Sequence, residues 1–187
     1  MKYKLVAFWL IVFGALFAFL QMCFEYHFYY IEQSQLFLFS EAYIRNKLLL
    51  PGGFSMLVAE FLVQFFIRPY VGALVTAALL TGVGVCTAGI VKRIAPVSGL
   101  FILYVLPILA LLFMHFDFNY RVQGTVCYLM MMALLCGYMR IRNDLFRLVA
   151  GCVLVPVLFW LAGLPSCLPE WFACSKGCVR RLNGISR

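Results

Sequence analysis

Glu25, Glu32 and Glu60 each stand beside a long apolar stretch, and each has polar company. His27 follows Glu25, Gln33 adjoins Glu32, and Gln64 and Arg68 follow Glu60 at helical spacing, forming one polar stripe. Farther on, His115, Asp117, Asn119 and Arg121 crowd one short connection. A carboxylate at the edge of an apolar region can act as a general base or hold a hard cation. Ionisable groups at membrane depth are costly and are often functional. Glu25, Glu32 and Glu60 are therefore the candidate catalytic residues, and His27, Gln33, Gln64, Arg68, His115, Asp117 and Arg121 the candidate binding residues. Plainer readings stand beside these. Glu25 and His27 would be solvated loop residues, Glu60 and Arg68 would flank an interfacial helix, and Asp117 would pair with Arg121 in a polar turn. Asp144, among Arg140, Arg142 and Arg147, balances charge in a turn. No nucleophile motif, phosphate loop or metal-spaced histidine pair occurs, so no metal site is expected and the cofactor stays unknown.

The elements that must position these residues are apolar runs: Leu5–Phe24, Val71–Val91, Pro96–Phe116, Val122–Met139 and Leu148–Leu164. At 1.5 Å per residue each can cross a hydrocarbon core of roughly 30 Å, the last two only just. The chain is 65% hydrophobic and 12% charged, far from the balance of a water-soluble domain. Backbone polar groups in lipid must be satisfied within helices or a closed barrel. The runs are apolar on every face and lack the short alternating segments of a barrel strand. The expected fold is all-α: a polytopic transmembrane helical bundle of about five spans with a two-helix interfacial outer loop. Residues 1–164 form the transmembrane domain and 165–187 a basic C-terminal tail.

The net charge of +8 does not indicate nucleic-acid binding, because the basic residues sit in small groups at the ends of runs. Lys2, Lys4, Lys92, Arg93, Arg140, Arg142 and Arg147 fall on one predicted side, and Arg45, Lys47, Arg68 and Arg121 on the other. By the positive-inside rule the N-terminus is cytoplasmic. The first run is long and bulky and no small-x-small site follows it, so it reads as a retained span rather than a cleaved signal. Aromatic residues crowd two exits on the predicted outer side: Phe24, Tyr26, Phe28, Tyr29 and Tyr30, then Phe116, Phe118 and Tyr120.

The outer loop, residues 25–70, reads as two helices split by Pro51-Gly52-Gly53: a first piece over about Tyr29–Leu49, and a second over Phe54–Ile67, too short for a span and suited to an interfacial or re-entrant position. Gly72, Gly82, Gly84 and Gly89, with Ala73, Ala77, Ala78 and Ala88, give the second span a small surface that admits close helix contact. Pro107 and Pro156 predict kinks. Of the eight cysteines, Cys23, Cys86, Cys127, Cys136 and Cys152 lie in or beside spans and Cys167, Cys174 and Cys178 in the tail. Cys174-x-x-x-Cys178 lacks the second ligand pair of a zinc site, and a tail disulfide is left open. Five spans put the tail outside, yet it carries Lys176, Arg180, Arg181 and Arg187, against the charge rule. Either the fifth run does not cross fully, or the tail is an aberrant end produced by a frame change or early stop.

The stretch from His27 to Phe39, then Pro51-Gly52-Gly53, Glu60 to Phe66 and Pro69 to Ala73, resembles the N-terminal part of an uncharacterised family of large multi-pass bacterial inner-membrane proteins. The resemblance covers residues 1–164 and is densest over 27–73. Members are much longer, with more spans and a soluble C-terminal part, which implies that this chain is a truncated member located in the bacterial inner membrane. The layout is also similar, more weakly, to C-type glycosyltransferases that use lipid-linked sugars. That likeness implies Glu25 or Glu32 as the base, although those enzymes usually carry Asp there and have many more spans. Three functions follow as expectations: a glycosyltransferase-like envelope enzyme, a transporter or lipid-handling protein, and a non-catalytic membrane subunit or gene fragment. The expected partners are the lipid bilayer, a lipid-linked substrate or other membrane subunits, with no nucleic acid.

Overall fold

The computed structural model describes residues 2–35, 37–68, 70–94, 101–117, 119–141 and 143–162. Among these residues the chain is all-α, with no strand. The helices are α1 (Lys2–Cys23), α2 (Glu25–Ser34), α3 (Glu41–Leu48), α4 (Gly53–Val63), α5 (Val71–Ile94), α6 (Phe101–Met114), α7 (Val122–Tyr138) and α8 (Asp144–Ala162). A 3-10 turn, Gln64–Ile67, extends α4. Among the described residues, two stretches are long and apolar enough to cross a membrane, Leu5–Cys23 and Val71–Ile94. The helices over Ile102–Met114, Val122–Tyr138 and Leu145–Leu161 are apolar but shorter. The run expected from Pro96 is helical from Phe101, its first residues lying outside the described part, and the last run starts earlier than expected, at Asp144. Leu164 and the tail, with Cys167, Cys174, Cys178 and its basic residues, also lie outside the described residues.

The small surface of α5 makes it the central helix, packed against α1, α6 and α7. Its buried face includes Gly72, Ala73, Ala77, Gly84 and Ala88. A methyl group added at Gly84 would lie 2.5 Å from the Ile108 side chain of α6 and 2.7 Å from the Trp9 ring of α1. One added at Gly82 would lie 3.2 Å from Leu129 of α7, and one at Gly89 would lie 3.2 Å from Cys136 Sγ. Ala78 is the exception, facing outward. Pro107 and Pro156 both sit inside helices that continue past them.

The two ends of this bundle differ. One end gathers the C-termini of α5 and α7, where Arg93 Nη1 donates to the carbonyl of Met139, together with Lys92, Arg140 and Arg147. Lys92 Nζ lies 6.0 Å from the Tyr104 ring centre, which brings the first turns of α6 to this basic end. The opposite end is covered by α2, α3 and α4. The N-terminus of α4 is tied to the C-terminal part of α8, since Gly52 N–H donates to the Trp160 carbonyl at 2.8 Å and Phe54 stacks on Trp160. The turn after α4 packs on α2 and α5, with Phe66 edge-on to Phe28. Both ends of α4 are thus held at the same end of the bundle, so α4 lies across that end as a cap.

One expectation fails. The first loop piece is not a single helix over 29–49. The chain turns directly from α1 into α2 at Phe24, leaves helix at Gln35 (φ −128°, ψ 82°), and re-enters it after extended Ser40. The break has a tertiary cause. The Phe37 ring is set edge-on against Phe39, Tyr43 and Phe61, with centroids 5.0, 6.0 and 5.9 Å away. The Phe37 carbonyl, which a continuous helix would use internally, accepts from Gln64 Nε2 at 3.0 Å. Glu41 in the first turn of α3 and Arg45 and Lys47 in its last complement the helix dipole.

The Pro51-Gly52-Gly53 turn behaves as its composition demands. Gly52 takes φ 79°, a left-handed conformation open to glycine. Ser55 Oγ donates to the Gly52 carbonyl at 2.8 Å. A Cβ at Gly53 would lie 1.7 Å from the Lys47 carbonyl oxygen, which is rigid backbone. Gly53→Ala is expected to destabilise the chain by at least about 2 kcal/mol. Gly137→Ala, where a Cβ meets nothing within 4 Å, is expected to be neutral or stabilising by up to about 1 kcal/mol. Thermal unfolding of the purified variants checks both, and equal midpoints would show that the turn can relax.

Candidate functional site

Two pairs of residues at helical spacing face each other between α3 and α4: Tyr43 and Lys47 on one, Met56 and Glu60 on the other. Glu60 is buried and both of its carboxylate oxygens are engaged. Tyr43 OH donates to Oε2 at 2.5 Å, and Lys47 Nζ donates to Oε1 at 3.1 Å. Lys47 Nζ also lies 3.1 Å from Met56 Sδ and 5.3 Å from the centre of the Tyr43 ring. The Glu60 side chain is 8% exposed and that of Lys47 19%, so this ion pair is shielded from solvent well beyond a surface pair. Burial, the hydrogen bond to Glu60 and the negative charge of Glu60 together push the Tyr43 hydroxyl up to about 12. A few residues on, Gln64 holds Phe37. The polar stripe on residues 60, 64 and 68 therefore faces the preceding loop segment at two of its three positions, and Arg68 alone is exposed.

A second group forms where the α1–α2 junction meets the α6–α7 connection. His115 is 2% exposed and lies 4.9 Å, ring to ring, from Tyr120. Its Nδ1 is 2.9 Å from the Leu111 carbonyl. A carbonyl only accepts, so Nδ1 carries the hydrogen and Nε2 of the neutral ring is a bare acceptor. Nε2 is buried without a hydrogen-bond partner among the described residues. His27 is buried edge-on against Phe24, which in turn packs on Phe116. Burial lowers the affinity of His27 for a proton, and the charge of Asp117 opposes that. Asp117 Oδ1 accepts the Asn119 backbone N–H at 2.9 Å, the local bond of an Asx turn. Tyr120 OH and Thr125 Oγ1 are 3.2 Å apart.

The candidates thus divide. His27, His115 and Asp117 come together, Glu60 and Gln64 serve the α3–α4 cap, and Glu32 and Gln33 stand on α2 apart from both clusters. Glu32 is half-buried and Gln33 exposed, and the Glu32 carboxylate has no hydrogen bond or ion pair among the described residues. Glu25 is the first residue of α2, and its side chain is not among those described. Arg121 is the exposed residue preceding α7. Among the described residues no group of three or more histidine, cysteine or acidic side chains is placed to hold a metal ion. Sequence reading missed Tyr43, Lys47 and Met56 as partners of Glu60. The signal was available in their spacing, Tyr43 four before Lys47 and Met56 four before Glu60.

With a donor on each oxygen, Glu60 is arranged as a latch between α3 and α4 rather than as a base facing a substrate. Glu60→Gln is expected to cost about 2 kcal/mol, because it leaves the Lys47 ammonium without its partner charge. Tyr43 supplies a pH test. Its proton is held more tightly in the folded chain than in the unfolded one, so its contribution is complete below pH 10.0 and is lost as pH rises toward about 12. In unfolding measurements across this window the wild type is expected to lose stability more steeply than Tyr43→Phe, and parallel curves would remove the hydroxyl from the latch.

Neither a curated protein nor a solved structure matches the chain. A family model does, over residues 1–184. The match runs through the described helices and on past residue 164, so most of the segment expected to be an aberrant tail is matched by the family as well. The chain belongs to the family of unknown function DUF6057.

Proposed function

We propose that this chain is an integral, multi-pass protein of the bacterial inner membrane, with α1, α5, α6, α7 and α8 as its spans and the N-terminus in the cytoplasm. The observation that carries this reading is the apolar outside of the bundle. Leu10, Ile11, Ile102, Leu106, Phe113, Leu145, Phe146 and Val155 are all more than 60% exposed, on three different helices. Water would charge heavily for so continuous an apolar surface, and lipid does not. The capped end supports it: exposed Tyr26, Tyr30, Tyr70 and Phe116 stand there, as aromatic rings do at headgroup depth. In this frame α4 lies along the outer interface.

The role supported best is that of a non-catalytic membrane domain that presents its outer cap to lipid or to another membrane subunit. Glu60 is occupied by Lys47 and Tyr43, and among the described side chains Glu32 stands apart from it on α2. Helices α6 and α8 are unbroken through their prolines, unlike the discontinuous helices of many transporters. Glu32 is the observation that favours a second reading, an enzyme similar to the glycosyltransferases that use lipid-linked sugars, since its carboxylate is uncommitted among the described residues.

Expressed with its native start, the chain is expected to stay with membranes through an alkaline carbonate wash. In a cysteine-free background, Asn46→Cys is expected to react with an impermeant thiol reagent in cells whose outer membrane has been permeabilised, and Asn143→Cys only after lysis. Release by carbonate would overturn the membrane reading, and the reverse labelling would overturn its orientation. On the enzyme reading, Glu32→Gln abolishes transfer from a lipid-linked sugar at unchanged membrane abundance. Parallel loss of protein and activity would make Glu32 structural.

A further inference from the structure

Apolar side chains are also exposed outside the proposed spans, and four of them gather at the two ends of one short helix. Leu38 and Phe39 precede α3, Leu49 and Leu50 follow it, and each is more than half exposed. Phe39 is 79% exposed even though its ring meets that of Phe37 at 5.0 Å. Between these ends α3 turns Tyr43 and Lys47 toward α4, where both hold Glu60. Its outward face is polar, with Glu41, Arg45 and Asn46 exposed at helical spacing. The joint to Glu60 fixes which side of α3 faces out, so the pattern is set: a polar middle between two apolar ends.

Both ends continue surfaces that the membrane reading gives to lipid. Leu50 stands two residues before Gly52, whose N–H donates to the Trp160 carbonyl. Trp160 and Phe159 are exposed at the capped end of α8, beyond exposed Val153 and Val155. At the other end of α3, the Phe37 ring joins Phe39 to Phe61 of α4, and Phe61 meets Phe65 edge-on at 5.3 Å, with Phe61 and Phe65 exposed. Aromatic rings at the end of an apolar helix surface are the composition of headgroup depth. A helix with a polar outward face and apolar anchors lies along such a surface with its charges among the headgroups. We propose that α3 rests on the outer leaflet as a foot. Leu38, Phe39, Leu49 and Leu50 enter the lipid just below the headgroups, while Glu41, Arg45 and Asn46 stay among headgroups and water. The proposal rests on the membrane reading above, and it makes lipid, rather than another subunit, the cover for this side of the cap.

The test uses the full chain in a cysteine-free background, reconstituted in vesicles of phosphatidylcholine and phosphatidylglycerol. Phe39→Cys, Leu50→Cys and Asn46→Cys each carry a polarity-sensitive nitrobenzoxadiazole label, and Leu106→Cys, exposed on α6, is the control within a span. The labels at 39 and 50 are expected to emit to the blue of that at 46 and to lose most of their fluorescence to lipid bearing a nitroxide near the headgroup. The label at 46 is expected to lose most of its fluorescence to iodide in the water. Thermal unfolding before labelling verifies that each variant folds, and Leu38→Cys and Leu49→Cys replace any that does not. Iodide quenching at 39 and 50 equal to that at 46 would overturn the proposal by placing both ends in water. Shielding of 39 and 50 from both quenchers would overturn it too, because protein, such as a second copy, would then be the cover. Lipid quenching at 106 with none at 39 and 50 fails only the foot, whereas no lipid quenching at 106 fails the membrane reading on which it rests.

Discussion

Residue 84 has no side chain, and three helices meet because of it. Trp9 from α1 and Ile108 from α6 both approach the α5 backbone there more closely than any Cβ would permit. The same device recurs along α5, with Phe28 of α2 at Gly72 and α7 at Gly82 and Gly89. Dispersion falls off steeply with distance, so close backbone approach is where helices with largely apolar surfaces gain their contact energy. Because α5 is narrow, its neighbours can crowd it on several sides, and the cap of α2 and α4 inherits its position from theirs.

The cap is held differently. Its joints are polar and directional: Lys47 and Tyr43 on Glu60, Gln64 on Phe37, Gly52 on Trp160. Glutamate is tolerated below the surface because each oxygen has a donor and the nearest cation is an ammonium already shielded by Met56 and the Tyr43 ring. Remove one partner and the others are left poorly solvated, so the three side chains act as one unit.

What could be read from the sequence were the features set by local physics. Long apolar runs announced α1 and α5, Pro51-Gly52-Gly53 announced the hairpin, and the glycines and alanines of residues 71–91 announced the central helix. The break at residues 35–40 was hidden, because no glycine or proline marks it. It arises from the Phe37 carbonyl finding Gln64, a contact between segments far apart in sequence. The site was legible to the same degree. Glu60, Gln64 and Arg68 were visible as a stripe, but whether a stripe faces water or another segment depends on what folds over it. The proximity of His27 to His115 and Asp117 likewise depends on α1 and α6 ending at the same level beside α5.

The bond from Gly52 N–H to the Trp160 carbonyl has a consequence for the order of events during synthesis. The residues of α3 and α4 leave the ribosome long before those of α8. Until Trp160 has followed, the left-handed turn lacks its anchor and the stacking partner of Phe54 does not exist. The N-terminal end of α4 is therefore fixed last, and a nascent chain halted before α8 would hold its cap only through the joints to α2, α5 and α7.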